Sequence, residues 1–224
     1  MRSNSAALMI QYGKGQFAKG KVLMANEKGN LEVKHFVSQS GQNQYLLISD
    51  SKAATIDVSE AIESVIHLIE EKDLSLKYVL VTHAHQSHVQ ALPRLKQKFD
   101  TNFCLHEYEY QHLKQTDVDT EPDQILNDND ILKLGTVDIR VLLTAGHTKG
   151  SVCYWIKEAD ALFSGSTLLK KSYGRIWGPS SMSLMHFSLK RLGSIIPAKT
   201  TIYTGSGELT KMANEGWIHC MRSA

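Results

Sequence analysis

From residue 31 the chain settles into short apolar runs separated by turn signals, and stretches of helical spacing interrupt that rhythm. Leu31 to Val37 alternates, Tyr45 to Ser49 and Ala53 to Asp57 are compact apolar runs, and Gly41-Gln42-Asn43 and Asp50-Ser51 mark turns between them. This predicts a β-meander. Ile62, Val65, Ile66 and Ile69 then recur at helical spacing, with Ser59 placed as the cap and Glu60 and Glu63 in the first turn, where carboxylates suit the helix dipole. With a strand at Lys77 to Thr82, that helix completes a βαβ unit, whose functional edge is the carboxyl end of its strands. Pro93 suits the first turn of a second helix running to about Phe99, since an N–H there has no intrahelical partner to lose. Further strands are predicted at Asn102 to Leu105, Val137 to Leu143, Ser151 to Ile156, Ala161 to Ser164 and Thr200 to Thr204, with a long helix around Ser183 to Leu192. Two runs of strands with helices outside them predict a layered αββα sandwich.

Residues 1 to 30 carry no comparable pattern and read as an N-terminal arm or edge hairpin, leaving residues 31 to 224 as one domain. Gly13-Lys14-Gly15-Gln16-Phe17-Ala18 superficially matches a dinucleotide fingerprint, but no strand precedes it and Gly20 interrupts any following helix. A chain of 224 residues can bury a full core as one unit. The formal net charge of +2, with basic residues scattered rather than massed, gives no case for nucleic acid as a partner. Cys104, Cys153 and Cys220 are odd in number and unclustered, which argues against a disulfide framework. The apolar run Ala6 to Ile10 is shorter than a secretory signal, and no stretch is long enough to span a membrane, so a cytoplasmic protein with no membrane partner is expected.

The chemistry concentrates where the central apolar run Tyr78-Val79-Leu80-Val81 ends, in Thr82-His83-Ala84-His85-Gln86-Ser87-His88. Side chains at i and i+2 of an extended segment share a face, and a turn can bring the third imidazole round to the same point, so the pattern is that of a metal site. A second motif, Thr144-Ala145-Gly146-His147-Thr148-Lys149-Gly150-Ser151, follows the strand Val137 to Leu143, and its glycines let a tight loop present His147. A histidine in a Gly-rich turn is by itself weak evidence.

Taken together these motifs resemble the glyoxalase II-like branch of the metallo-β-lactamase superfamily. The likeness runs from about Leu31 to Gly207 through the Ile56-Asp57 strand end, Thr82-His83-Ala84-His85, Gly146-His147-Thr148-x-Gly150-Ser151-Val152-Cys153-Tyr154, Leu162 to Leu168 with its Ser164-Gly165-Ser166-Thr167, and Gly174-Arg175. The resemblance implies an α/β, four-layer αββα metallo-β-lactamase sandwich. It also implies one metal held by His83, His85 and His147, and a second by positions 87, 88 and 206 with position 166 bridging. Here Ser87, Ser166 and Ser206 stand where the pattern expects aspartate, aspartate and histidine. Only His88 of the second set remains, as a further candidate ligand or a buried hydrogen-bonded residue. Asp57 is implied as a partner of the histidine loop, the plain alternative being a strand-end turn residue. Tyr173 and Arg175 fall in the region that the family uses for substrate contacts.

A serine hydroxyl is a poor ligand beside a carboxylate or an imidazole. The expectation is therefore a hydrolase-type protein of the thioester or small-ester class, with one zinc or iron at most, or none, a small-molecule substrate and weak activity. An inert member that binds a metabolite or protein through the same cleft is one rival. An iron oxygenase resembling the persulfide dioxygenases is the other, although that chemistry normally uses two histidines and a carboxylate.

Overall fold

Strand β3 (Asn43–Ser49) explains why the molecule is layered. All seven of its residues are buried, with Tyr45 and Leu47 entering one apolar core and Leu46 and Ile48 entering another. Successive side chains of a strand point to opposite faces, so a strand buried at every position must be covered on both sides. The computed structural model, which describes residues 23–25, 30–176 and 180–221, meets that demand with two face-to-face sheets and helices outside each.

The first sheet contains β1 (Leu23–Ala25), β2 (Glu32–Val37), β3, β4 (Lys52–Ile56), β5 (Ser75–Leu80), β6 (Asn102–His106) and β7 (Gln124–Leu126), in chain order across the sheet. Pairing is antiparallel from β1 to β4 and parallel from β4 to β7. The second sheet runs in the order β13 (Thr210–Lys211), β12 (Thr201–Thr204), β11 (Ala161–Gly165), β10 (Val152–Ile156), β9 (Val137–Leu143) and β8 (Ile131–Leu134), and only β11 and β12 are parallel. Between the sheets, Tyr45, Leu47, Ile56, Leu80 and Cys104 meet Val141, Val152, Tyr154, Phe163 and Tyr203.

Helices α1 (Ile62–Glu71) and α3 (Leu92–Lys98) cover the outer face of the first sheet. The α1 residues Ile62, Val65, Ile66 and Ile69 are all buried, each worth roughly 1.5–3 kcal/mol. Helix α5 (Ser180–Ile195) covers the second sheet through Met185, Leu189 and Leu192. The expected αββα sandwich is the observed architecture. Among the described residues no helix is long and apolar enough to cross a membrane.

Several local expectations change. Ser59 does not cap α1: the cap position is Ala61, and no side chain caps it. The Ser59 hydroxyl is buried two residues before that cap, where it donates to Gln44 Oε1 at 3.0 Å and accepts from the Ala61 N–H at 3.4 Å. Glu60 consequently precedes the helix, where its carboxylate accepts from the Ser40 N–H at 2.8 Å. Short elements appear that the pattern did not predict, namely α2 (Gln86–Val89), α4 (Tyr110–Leu113), β7, β8 and β13. Of the N-terminal arm, residues 23–25 form an edge strand antiparallel to β2, and the glycine-rich stretch at 13–18 lies outside the described residues.

The topology sets the carboxyl ends of β4, β5, β9, β11 and β12 along one edge. Val152 N–H donates to the Thr82 carbonyl at 2.9 Å and the Tyr154 hydroxyl to that of Val81 at 2.8 Å, which stitches the sheets together there.

Candidate metal centre

His83 and His85 follow β5 in an extended segment and His147 lies in the loop after β9, so the two sheets supply two sides of one cluster. The ring nitrogens available on His83, His85 and His147 all lie within 4.8 Å of one another. Ring centroids are 4.7 Å apart for His83 and His85, 4.6 Å for His83 and His147, and 4.7 Å for His85 and His147. His147 Nε2 sits 3.0 Å from His85 Nδ1. Two nitrogens bound to a tetrahedral zinc at 2.0–2.1 Å would be about 3.3 Å apart, so the spacing is near that of a ligand set.

Neighbouring groups decide which nitrogen of the His147 and His83 rings faces inward. His147 Nδ1 donates to the Arg175 carbonyl at 2.7 Å, leaving the Nε2 lone pair for the cluster. His83 Nδ1 lies 3.1 Å from Thr82 Oγ1, whose own hydroxyl donates to Asp57 Oδ2 at 2.9 Å. The threonine oxygen therefore accepts the His83 Nδ1 proton, and His83 Nε2 is left buried with no hydrogen-bond partner. A buried polar atom without a partner is costly unless something else binds it.

Burial also keeps these rings neutral. It pushes the His83 pKa well below its ordinary value, helped by the nearby His88, His147 and His85. His85 is lowered by burial and by His88, against the opposing pull of Glu109. Burial brings His147 from 6.5 to about 4, although its bond to the Arg175 carbonyl works the other way. Neutral imidazole is the form that binds a metal. The donor set, the orphaned His83 Nε2 and the low proton affinity together fit one tetrahedral or similar divalent ion.

Asp57 answers to both of its sequence readings. It ends β4 with φ 57°, as a strand-end turn residue does, and its carboxylate accepts from the Thr82 N–H at 2.8 Å and from the Thr82 hydroxyl. His88 Nδ1 lies 2.8 Å from Asp57 Oδ2, and the His88 ring is buried 4.1 Å from that of His83. His88 is thus beside the cluster but outside the three-nitrogen group.

The three serine positions reach the same edge. Ser87 lies in α2 between His85 and His88. Ser166 follows β11, and its carbonyl accepts from Gly174 N–H at 2.8 Å, next to the strand of loop that holds His147. The Ser206 loop follows β12 and is fixed by Asn43, whose Nδ2 donates to the carbonyls of Thr204 at 2.9 Å and Gly207 at 3.0 Å. Gly165, at φ +51°, is required where these loops meet, because a Cβ there would lie 2.6 Å from Thr82 Oγ1. Tyr173 is half-buried against the second sheet's outer core, and Arg175 is exposed. What the structure adds is that Arg175 meets the cluster through its carbonyl oxygen.

Two contributors escaped the sequence. Thr82 was legible only as a flank of the histidine motif, yet it links His83 to Asp57. Glu109 looks like surface charge in Glu107-Tyr108-Glu109-Tyr110, yet it is fully buried, accepting from the Ala84 N–H at 2.8 Å and the Gly150 N–H at 2.9 Å.

Comparison with known proteins agrees with this architecture. The profile of the metallo-beta-lactamase superfamily matches residues 38–205. The probable metallo-hydrolase YqgX of Bacillus subtilis is 30% identical over 188 residues, covering 77% of this chain and 88% of that protein. A hydroxyacylglutathione hydrolase of Pelagibacter ubique is 31% identical over 169 residues, which cover 75% of this chain but only 66% of the enzyme. Among solved structures, the BLEG-1 B3 metallo-beta-lactamase superposes with a TM-score of 0.74 at 26% identity, covering 82% of this chain and 96% of that one. With its sandwich, its histidine loops and a matching profile across most of its length, the chain belongs to the metallo-beta-lactamase superfamily.

Proposed function

We propose that this chain is a hydrolase of thioesters or small esters that works with a single metal ion, zinc in first place, held by His83, His85 and His147. The observation that carries the reading is the contrast within one cluster. Each of three imidazoles brings a ring nitrogen within 4.8 Å of the others, whereas positions 87, 166 and 206 hold serines. A second divalent ion would meet hydroxyls where it needs carboxylates and an imidazole.

When bound, the ion supplies Lewis acidity and lowers the pKa of water to about 7, which a three-histidine set can do without a carboxylate ligand. The chain supplies the rest. The Arg175 carbonyl holds the His147 ring, and Thr82 and Asp57 hold the His83 ring, so that neither must rotate to bind. Tyr173 and Arg175 are the proposed substrate contacts, since a guanidinium can pair with a substrate carboxylate. With no carboxylate at 87 or 166, nothing fixes the attacking water as the aspartates would, and slow turnover follows. The hydroxyacylglutathione hydrolase relative supports the thioester class.

The test is metal analysis of the purified protein together with its His147→Ala variant. One equivalent of zinc in the parent, absent from the variant, is the expected result. Iron would favour the oxygenase reading, and a metal-free parent that takes up no zinc would leave only the inert binding protein.

A further inference from the structure

We propose that Glu109 is a positioning residue that sets the spacing between the two histidine-bearing loops and thereby the metal affinity of the cluster, an inference resting on the metal function proposed above. Its two carboxylate oxygens are divided between the loops. Oε2 accepts from Ala84 N–H, between His83 and His85, and Oε1 accepts from Gly150 N–H, three residues beyond His147. These loops leave different sheets, so one rigid carboxylate spans the seam at the point where the ligand atoms must meet.

The fit is built from both sides. A Cβ on Gly150 would lie 2.8 Å from both Glu109 Cγ and its backbone N, so the His147 loop approaches closely only because residue 150 is glycine. Glu109 itself is fully buried in the helical turn Glu107–Glu109 after β6, where a carboxylate is costly unless well partnered. Among the described residues no lysine or arginine forms an ion pair with it, and the nearest titratable side chain paired with it is His112, whose Nδ1 lies 3.4 Å from Oε2. A divalent ion at the three histidines would place positive charge near this carboxylate and offset its burial. Glu109 therefore serves the cluster twice, by holding the loops in register and by supplying a negative charge that the ligand set itself lacks.

The experiment compares the parent with Glu109→Gln and Gly150→Ala. Glu109→Gln keeps the shape but turns an NH2 group toward an N–H donor. Gly150→Ala keeps the carboxylate and forces it away. Zinc affinity, from competition with a chromophoric chelator, is expected to weaken about 10–100-fold in both variants, as for other groups that orient ligands. Cobalt(II) loaded in place of zinc should show an altered visible spectrum, which a change in global stability alone would not produce. Affinities within about threefold of the parent, against the roughly tenfold minimum expected, would overturn the proposal. If Glu109→Gln does not fold, Gly150→Ala decides. A parent that binds no zinc refutes the metal function, and the brace is then judged by amide exchange in the metal-free protein. Slow exchange at Ala84 and Gly150 that becomes fast in either variant upholds it, and unchanged exchange overturns it.

Discussion

The burial of His147 predicts a pH dependence of stability that a single substitution should remove. In the metal-free folded protein its pKa is about 4, against 6.5 for the ordinary imidazole that the unfolded chain presents. Between those values the unfolded chain binds the extra proton, so the contribution of His147 is fully present above pH 6.5 and is lost as the pH falls toward 4. Moving from pH 7.5 to 4.5 multiplies the relative weight of the unfolded state by about 70, the ratio of (1 + 10^(6.5−pH))/(1 + 10^(4−pH)) at the two pH values, which corresponds to about 2.5 kcal/mol. For a urea slope of about 3 kcal/mol per M, this moves the unfolding midpoint by about 0.8 M. The assay is urea unfolding followed by tryptophan fluorescence, with a chelator present, at both pH values for the parent and for His147→Ala. Burial still lowers His83 and His85 in the variant, and the part of the His83 shift that His147 itself causes goes with the ring and adds to the gap in the same direction, while the pH-independent cost of losing the ring cancels. If the gap between parent and variant is the same at pH 7.5 and 4.5, His147 is not held neutral by burial and the argument for a ligand-ready cluster fails.

Replacing His83, His85 or His147 singly by alanine should each abolish stoichiometric metal uptake, measured by elemental analysis, because a three-ligand set has none to spare; retention of metal by any of the three would refute the assignment. Zinc-loaded protein should hydrolyse β-lactams and glutathione thioesters well below the enzyme median of about 10 per second, and turnover at that rate would show that a second metal or its carboxylates are dispensable. The triple change Ser87→Asp, Ser166→Asp and Ser206→His should raise metal stoichiometry from one to two with hydrolysis rising alongside, while each single change does much less, since ligands of one site act as a unit. A folded triple variant that still takes one metal would show that the loops at 166 and 206 do not present their side chains to a common point.

The sandwich was legible because β10 is apolar at every position and β3 carries the unbroken apolar run Tyr45 to Ile48, while α1 shows clean helical spacing. The elements that escaped are short and depend on partners. Gln124–Leu126 is extended because its backbone pairs with Cys104–His106, and its middle residue, Ile125, is exposed. Ser59 reads as a cap because the rule is local, whereas its hydroxyl finds Gln44, fifteen residues away. At the centre, His83 and His85 were legible from spacing at a strand end, and His147 gained weight only beside them. The roles of positions 87, 166 and 206 came from family resemblance, since a serine carries no sign that a carboxylate is expected there. Glu109 could not be read at all, because its burial arises from two backbone N–H groups contributed by loops distant in sequence.

That the imidazoles come from opposite sheets also orders events in the life of the chain. His85 and His147 are 62 residues apart. Bringing two such points together in a flexible chain costs about 3.7 kcal/mol in the length-dependent part of loop closure alone. The packed sandwich meets that cost through its own contacts, so the folded cluster should capture metal far better than a peptide spanning His83 to His88. During synthesis the first two histidines emerge well before the third, and His147 is steadied only once Arg175 has followed it. The full three-nitrogen set therefore exists only once the second sheet has formed, and metal content becomes a measure of how much of the protein has completed it.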